Sequence, residues 1–359
     1  MHDSATSSDD AIKDGPFYLH AGQRADIKRR SQVWWWRLEI PTWILGFVVY
    51  SGWFLLVIHW QQLNHWLAAP LLVIFTTWYL SWQHELIHGH PTRWERVNQL
   101  LGTLPIAVWY PYGLYRDSHL QHHRNERLTH PEEDPESYYF SEAHWQHSSA
   151  WFIRLIKIRN TFFGRLLIAP ALDIIATVKG ALQAVVKRDY PAIAMWGIHL
   201  VLLVALLAWV QQHGISAVYY LLVISYPALS LTKVRSFYEH RAAEAPEARS
   251  TLTEAGIGWR LLFLNLNYHL VHHDLPGLPW YGLPQVYQAD KEAYQQRSQG
   301  YVVEGYQTLM QQYAATPLDV EIHPFYPERP GGDTVTVQLE PSSITSDVGH
   351  DYAYQNESS

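Results

Sequence analysis

At 359 residues the chain could hold one large unit or two or three small domains. It has no cysteine, which excludes an internal Cys-ligated iron–sulfur cluster, a thiolate zinc site and any disulfide. The net charge of −7 comes wholly from positions 316–359, where eight acids face one base, Arg329, so no basic stripe is left to serve nucleic acid, which is not expected as a partner.

The first 28 residues are polar, with no basic region running directly into an apolar core, and predict no cleavable secretory signal. Arg24, Lys28, Arg29, Arg30 and Arg37 then gather around Trp34, Trp35 and Trp36, the composition of an interfacial anchor on the cytoplasmic side. The 17 Trp of the whole chain fit a protein at a water–lipid boundary, while a mean hydropathy of −0.16 requires large water-facing portions. Between positions 38 and 92 there is no Lys or Arg. That window holds apolar runs at 43–60 and 67–80 around a polar turn at 61–66. A span needs about 20 mostly apolar residues, a length the second run reaches by continuing past Trp82. A second cation-free window, 189–232, holds runs at 193–210 and 215–231 around the turn 211–214. Lys187 and Arg188 precede it, and Lys233 and Arg235 follow. Cations therefore flank the outer ends of two hairpins and avoid their turns, which puts both termini and the middle segment in the cytosol; in a bacterium the membrane would be the inner one. Between the hairpins, 102–115 is apolar but too short to span and reads as a re-entrant or interfacial piece. The stretch 162–186 reads as an amphipathic helix on the membrane surface. The organisation expected is a cytosolic segment 1–37, a membrane and metal domain 38–283, a cytosolic helical extension 284–315 and a disordered acidic tail 316–359.

The histidines are grouped. His84 and His88 lie four apart at the end of an apolar helix and so share one face. With Glu85 they also spell H-E-x-x-H, the zinc-protease signature. The pattern H-x-x-H-H occurs twice, as His119, His122 and His123 after the first hairpin and as His269, His272 and His273 after the second. On a helix, residues three apart share a face while adjacent ones diverge by about 100°. Neighbouring histidines can therefore serve two different ions, and eight imidazoles suit two ions better than one. Imidazole accepts Fe, Zn, Cu or Ni. His240 leaves the second hairpin much as His84 leaves the first and is a ninth candidate. Glu85, Asp117, Glu239 and Asp274 neighbour the clusters; each could take a ligand's second N–H or simply be solvated. Asp134 could orient a ligand or cap a turn. His90 is expected beside the ligands or facing solvent. His59, His65, His199 and His213 read as hydrogen-bonded structural residues, and His2, His130, His144, His147, His323 and His350 as outside the site.

The spacing, order and placement of His84/His88, His119/His122/His123 and His269/His272/His273 resemble the three histidine boxes of membrane fatty acid desaturases and hydroxylases, over about 38–283. That resemblance implies an all-α membrane protein of two transmembrane helical hairpins (four spans), capped by a cytosolic helical di-iron domain. It implies two Fe ions (Fe2+/Fe3+) held almost wholly by histidine, with His240 as the further ligand some members carry, and O2 as oxidant. No fused cytochrome b5-like segment is evident, so electrons would come from an external donor, ferredoxin- or cytochrome b5-like, with a reductase. The activity implied is introduction of a C=C bond into an acyl or acyl-like chain in the lipid bilayer, with no catalytic residue beyond the metal ligands. A hydroxylase or monooxygenase of the same family is the alternative. The wording at 84–91, 133–136 and 235–241 has a slighter resemblance to a bacterial branch that includes dihydrorhizobitoxine desaturase, which would make the substrate a small amino-acid-like metabolite. A membrane zinc protease would explain one cluster and leave two idle. A metal carrier or sensor would not need hairpins to aim its ligands at a lipid-facing cavity.

Overall fold

The computed structural model describes residues 21–325. The expected absence of a secretory signal concerns residues that lie largely outside this range, as does most of the tail expected to be disordered.

The first hairpin begins with the helix Ile40–Ile58, which carries Pro41 in its first turn, where the missing N–H leaves no intrahelical bond unmade. A short 3-10 turn, Trp60–Gln62, reverses the chain. Asn64 then caps the returning helix, His65–Ile87, by accepting the Trp66 N–H at 2.9 Å. Asp189 caps the second hairpin's first helix, Tyr190–Gln212, through the Ala192 N–H. The reversal after it uses Gly214 at φ 93°, where a Cβ would also stand 2.7 Å from the Gln61 side chain of the first hairpin's turn. The two turns therefore meet, which is why no side chain fits there. The last long helix is Ala217–Tyr238, and within it Tyr220–Ser225 is a π-helical turn.

The hairpins bury Val49, Trp53, Val57, Leu72, Tyr79, Val210 and Tyr220 between them. Their outward faces are apolar and uncovered: Phe47 is 74% exposed and Val201 70%. Such faces need lipid around them. Among the described residues, the four helices long and apolar enough to cross a membrane are not quite the four expected. Ile40–Ile58, Tyr190–Gln212 and Ala217–Tyr238 are among them, and the fourth is Ala169–Lys187. His65–Ile87 has the length, but its second half carries Thr76, Thr77, Ser81, Gln83, His84 and Glu85, all buried against protein rather than lipid. Ala169–Lys187, expected as part of a surface helix, shows one exposed apolar stripe of Ile175, Val178, Leu182 and Val185, the pattern of a helix that can also lie in an interface.

The segment 102–115 is inserted between the long helices. Ile106, Ala107 and Val108 are buried there without regular secondary structure. Irregular backbone is tolerated at such depth only if protein groups satisfy it. They do: Tyr79 Oη donates to the carbonyls of Gly102 and Leu104, Tyr220 Oη to that of Ile106, Ser225 Oγ to that of Ala107, and His199 Nε2 lies 2.7 Å from that of Val108. The π-helical turn supplies two of these donors, Tyr220 and Ser225. His199 is thus a structural residue, in line with its sequence reading.

The remaining residues form a helical cap. A two-residue parallel strand pair, Leu252–Thr253 with Val302–Val303, ties the segment after position 284 into it. That segment carries the helices Lys291–Arg297 and Tyr306–Tyr313. The reading of disorder from position 316 fails for its first ten residues. Leu318 and Val320 are buried in the cap, Leu318 N–H donates to the Asn160 carbonyl, and Ile322 bridges to Phe140. An acidic composition hid this short apolar insertion.

Tyr220 also accepts the Trp53 indole N–H at 3.1 Å. Tyr220→Phe would strand that donor and the Ile106 carbonyl, each at about 1–3 kcal/mol. The expected outcome is a clear fall in the thermal unfolding midpoint of the detergent-solubilised protein; an unchanged midpoint would show that these groups find other partners.

Candidate metal centre

Each histidine is delivered by the end of a helix. His84 occupies the last turn of His65–Ile87, and His88 is its C-cap residue. His119 and His122 occupy the last turn of Tyr112–His122, with His123 at its end. The short helix His269–Asp274 carries the third set. His240 follows the 3-10 turn Ser236–Tyr238 and is fixed by an antiparallel bridge to Ser250. Helix ends suit this work because one turn presents two or three side chains while the chain remains free to leave.

These nine residues converge on two points. His84, His88, His119, His123 and His272 form one group, and His122, His240, His269 and His273 the other, the ligand atoms of each group lying within 4.8 Å of one another. The adjacent pairs divide between the groups, as the helical divergence of neighbouring side chains requires. In the first group, the Nε2 atoms of His88 and His119, of His119 and His123, and of His123 and His272 are each 3.1 Å apart. In the second, His240 Nε2 lies 3.0 Å from that of His122 and 2.9 Å from that of His269. Two ligands at right angles, each about 2.1 Å from one ion, stand about 3.0 Å apart; at the tetrahedral angle they stand about 3.4 Å apart. The observed spacings are those of nitrogens close enough to share one ion. Both ring nitrogens of His84 are buried without a hydrogen-bond partner, a need that a cation would meet.

Carboxylates behind the rings set which nitrogen points inward. Asp134 lies 2.8 Å from His122 Nδ1, and its two oxygens also accept the N–H groups of Thr129 and Glu136. Glu136 lies 3.0 Å from His119 Nδ1, and Glu239 is 3.0 Å from His269 Nδ1. A carboxylate at Nδ1 keeps the proton there and leaves Nε2 with its lone pair facing the group. In the neutral form of such a ring Nε2 is an acceptor, or a metal ligand. Burial, and then the neighbouring histidines, hold His123, His272 and His273 well below the usual histidine range, so these rings are neutral, the form that ligates. His122 differs. Burial disfavours its charge, but Glu136 and Asp134 outweigh burial and hold it up at about 9. The same two carboxylates that favour a proton on this ring favour a metal cation in front of it.

Of the neighbouring carboxylates, Asp134 and Glu239 stand behind ligand candidates. Glu85 lies 3.7 Å from His84 Nδ1 and accepts the Trp280 backbone N–H. Asp117 is exposed and pairs with Arg116, and Asp274 forms a two-bonded pair with Arg297. Glu136 was not singled out in the sequence; the compact Asp134-Pro135-Glu136 turn was the available signal. His90 belongs to neither group and is buried against Glu39, 2.5 Å away. His323 is also buried, 3.1 Å from Thr129 Oγ1, and so supports the turn that holds Asp134. A cavity of about 1360 Å³ opens beside the histidines, with His84, His240, Tyr110 and Tyr115 in its wall, and extends along Ala181 and Ala184 to Met195.

No curated protein gives a significant match to the chain. The family model described as fatty acid desaturase matches residues 63–305, a stretch that carries all nine histidines and three of the four long hairpin helices. Its members are membrane oxidoreductases of desaturase and hydroxylase type and form a metalloenzyme class. With histidine groups of metal-binding geometry beneath membrane-compatible helices, this chain is a multi-pass membrane protein that belongs to the fatty acid desaturase family.

Proposed function

We propose that the protein is an O2-dependent di-iron desaturase that introduces a C=C bond into an acyl or acyl-like chain. The observation that carries this reading is the division of nine histidines into two groups, each with its ligand atoms within 4.8 Å of one another. His84, His88, His119, His123 and His272 would hold one iron, and His122, His240, His269 and His273 the other. A pair of irons in these positions supplies the reduction of O2 to water coupled to removal of hydrogen from an unactivated C–H bond.

The chain's own residues do the rest. Asp134 and Glu136 fix the orientation of His122 and His119 and keep their Nδ1 protons in place, and Glu239 adds negative charge beside His269. The cavity wall holds the substrate with one C–H bond near His84 and His240, a matter of positioning rather than acid–base catalysis. Four electrons are needed to take O2 to two waters. Two come from the two C–H bonds converted to C=C, and two from an external donor, ferredoxin- or cytochrome b5-like with a reductase. By the cation placement read from the sequence, the histidines, both termini and that donor lie on the cytosolic side, at the inner membrane of a bacterium. A hydroxylase would use the same site and return one oxygen atom to the substrate. A zinc protease built on His84, Glu85 and His88 is disfavoured, since these rings are shared with His119 and His272 and Glu85 is taken up by the Trp280 N–H.

Expression with and without the gene, followed by mass spectrometry of the host's lipids and small metabolites, should reveal a product two hydrogens lighter; a product gaining one oxygen would identify a hydroxylase instead. Metal analysis is expected to give iron near two per chain, whereas zinc at one per chain would refute the di-iron reading. His122→Ala and His273→Ala should each abolish turnover, and substantial residual activity would remove these residues from the site. Asp134→Asn should weaken metal retention about 10- to 100-fold; retention equal to wild type would make Asp134 a turn residue only. Because His122 is protonated at neutral pH before a metal displaces that proton, metal uptake at pH 7 should release a proton and affinity should fall as pH drops. Calorimetry in buffers of different ionisation enthalpy measures this, and no net release would contradict the assignment of His122.

A further inference from the structure

Besides Lys187, Arg188, Lys233 and Arg235, the wall of the cavity that reaches His84 and His240 holds Arg159 and Arg165. Arg159 ends the helix Ala150–Arg159, and the chain turns at Asn160 and Thr161 into the helix Phe162–Leu167, which carries Arg165. Gly164 makes the turn this tight, for a Cβ there would stand 1.7 Å from the Ile158 carbonyl oxygen. Both side chains are buried, Arg159 at 8% exposure and Arg165 at 1%.

Their partners are unequal. Arg159 donates to Asn160 Oδ1 from Nε and Nη2, and to the Tyr138 carbonyl. The Arg165 guanidinium lies over the Tyr138 ring at 3.7 Å, but its Nε and Nη1 are buried with no hydrogen-bond partner. Stacking satisfies the face of a guanidinium and leaves its in-plane N–H donors without acceptors. Among the described residues neither arginine has an ion-pair partner. The acids in the same wall are otherwise engaged: Asp173 with Lys233, Glu239 with Arg235 and His269, Asp134 with His122, Glu136 with His119, and Asp189 with the Ala192 N–H it caps. Buried cations are normally paired. An unpaired guanidinium in the wall of a chamber, with a second guanidinium beside it, matches a carboxylate or a phosphate.

We propose that Arg165, with Arg159 beside it, binds the anionic end of the substrate, a carboxylate or phosphate group. The inference rests on the reading of this cavity as the substrate chamber of the oxidoreductase. The substrate is then an acid or a phosphate monoester, whose charged end is held at the arginines while its carbon chain runs past the histidine groups. A neutral lipid ester leaves the guanidinium charge unpaired.

The test is equilibrium binding by calorimetry on the full-length, iron-loaded protein in nanodiscs. The probes are hexanoate, hexyl phosphate, methyl hexanoate and inorganic phosphate. The expected result is that hexanoate or hexyl phosphate binds at least tenfold more tightly than the methyl ester. Arg165→Met should erase that preference, and Arg165→Lys should weaken it several-fold, with iron content unchanged in both. Equal binding of acid, phosphate and ester by the wild-type protein overturns the proposal, and this comparison decides it even if a variant fails to fold. Inorganic phosphate binding as tightly as hexyl phosphate also overturns it, since the site would then hold a free anion and not a substrate end. Binding needs no turnover, so a protein that keeps the anion preference but consumes no O2 with a reductant refutes the oxidase reading and leaves the subsite standing.

Discussion

The contact on which the centre depends is the carboxylate–imidazole pair behind the metal-facing rings. Asp134 on His122 and Glu136 on His119 keep the outer nitrogens protonated and turn the inner nitrogens toward shared points. Asp134 can hold its ring because its oxygens are themselves fixed by two backbone N–H groups. The support extends outward from there, to Thr129 and to His323 beyond it.

A second constraint comes from the membrane. The long helices have no water at their outer faces and must place every polar backbone group inside the protein. The buried segment between the helix Glu95–Gly102 and the helix Tyr112–His122 would violate this were its carbonyls not met by Tyr79, Tyr220, Ser225 and His199. That segment leads directly into the helix bearing His119 and His122. The side chains that satisfy the buried backbone therefore also position a third of the candidate ligands.

The cavity joins two environments. One part of its wall is aliphatic and borders Ala169–Lys187 and the start of the second hairpin; another holds ion pairs and two buried guanidinium groups. A chamber lined only with apolar groups would sort substrates by length and shape. Buried N–H donors add discrimination by charge, because a substrate lacking the matching acceptor leaves them unsatisfied.

Much of the centre was legible in the residues themselves. Spacings of three, four and one are set by helical geometry, so the grouping of eight histidines and the divergence of adjacent ones could be read from pattern, with His240 added by its place after the second hairpin, and cation-free windows of sufficient length announced the hairpins. Other features arise between segments remote in sequence and leave no local pattern. Glu136 reaches His119 because of how one turn folds, the 316–325 segment docks through two apolar residues in an acidic background, and the helix His65–Ile87 is covered by protein where composition suggested lipid. Arg159 and Arg165 look like ordinary surface cations in the sequence. Only packing removes their water and their counter-ions together, since burial and pairing are properties of the surroundings and not of the residue.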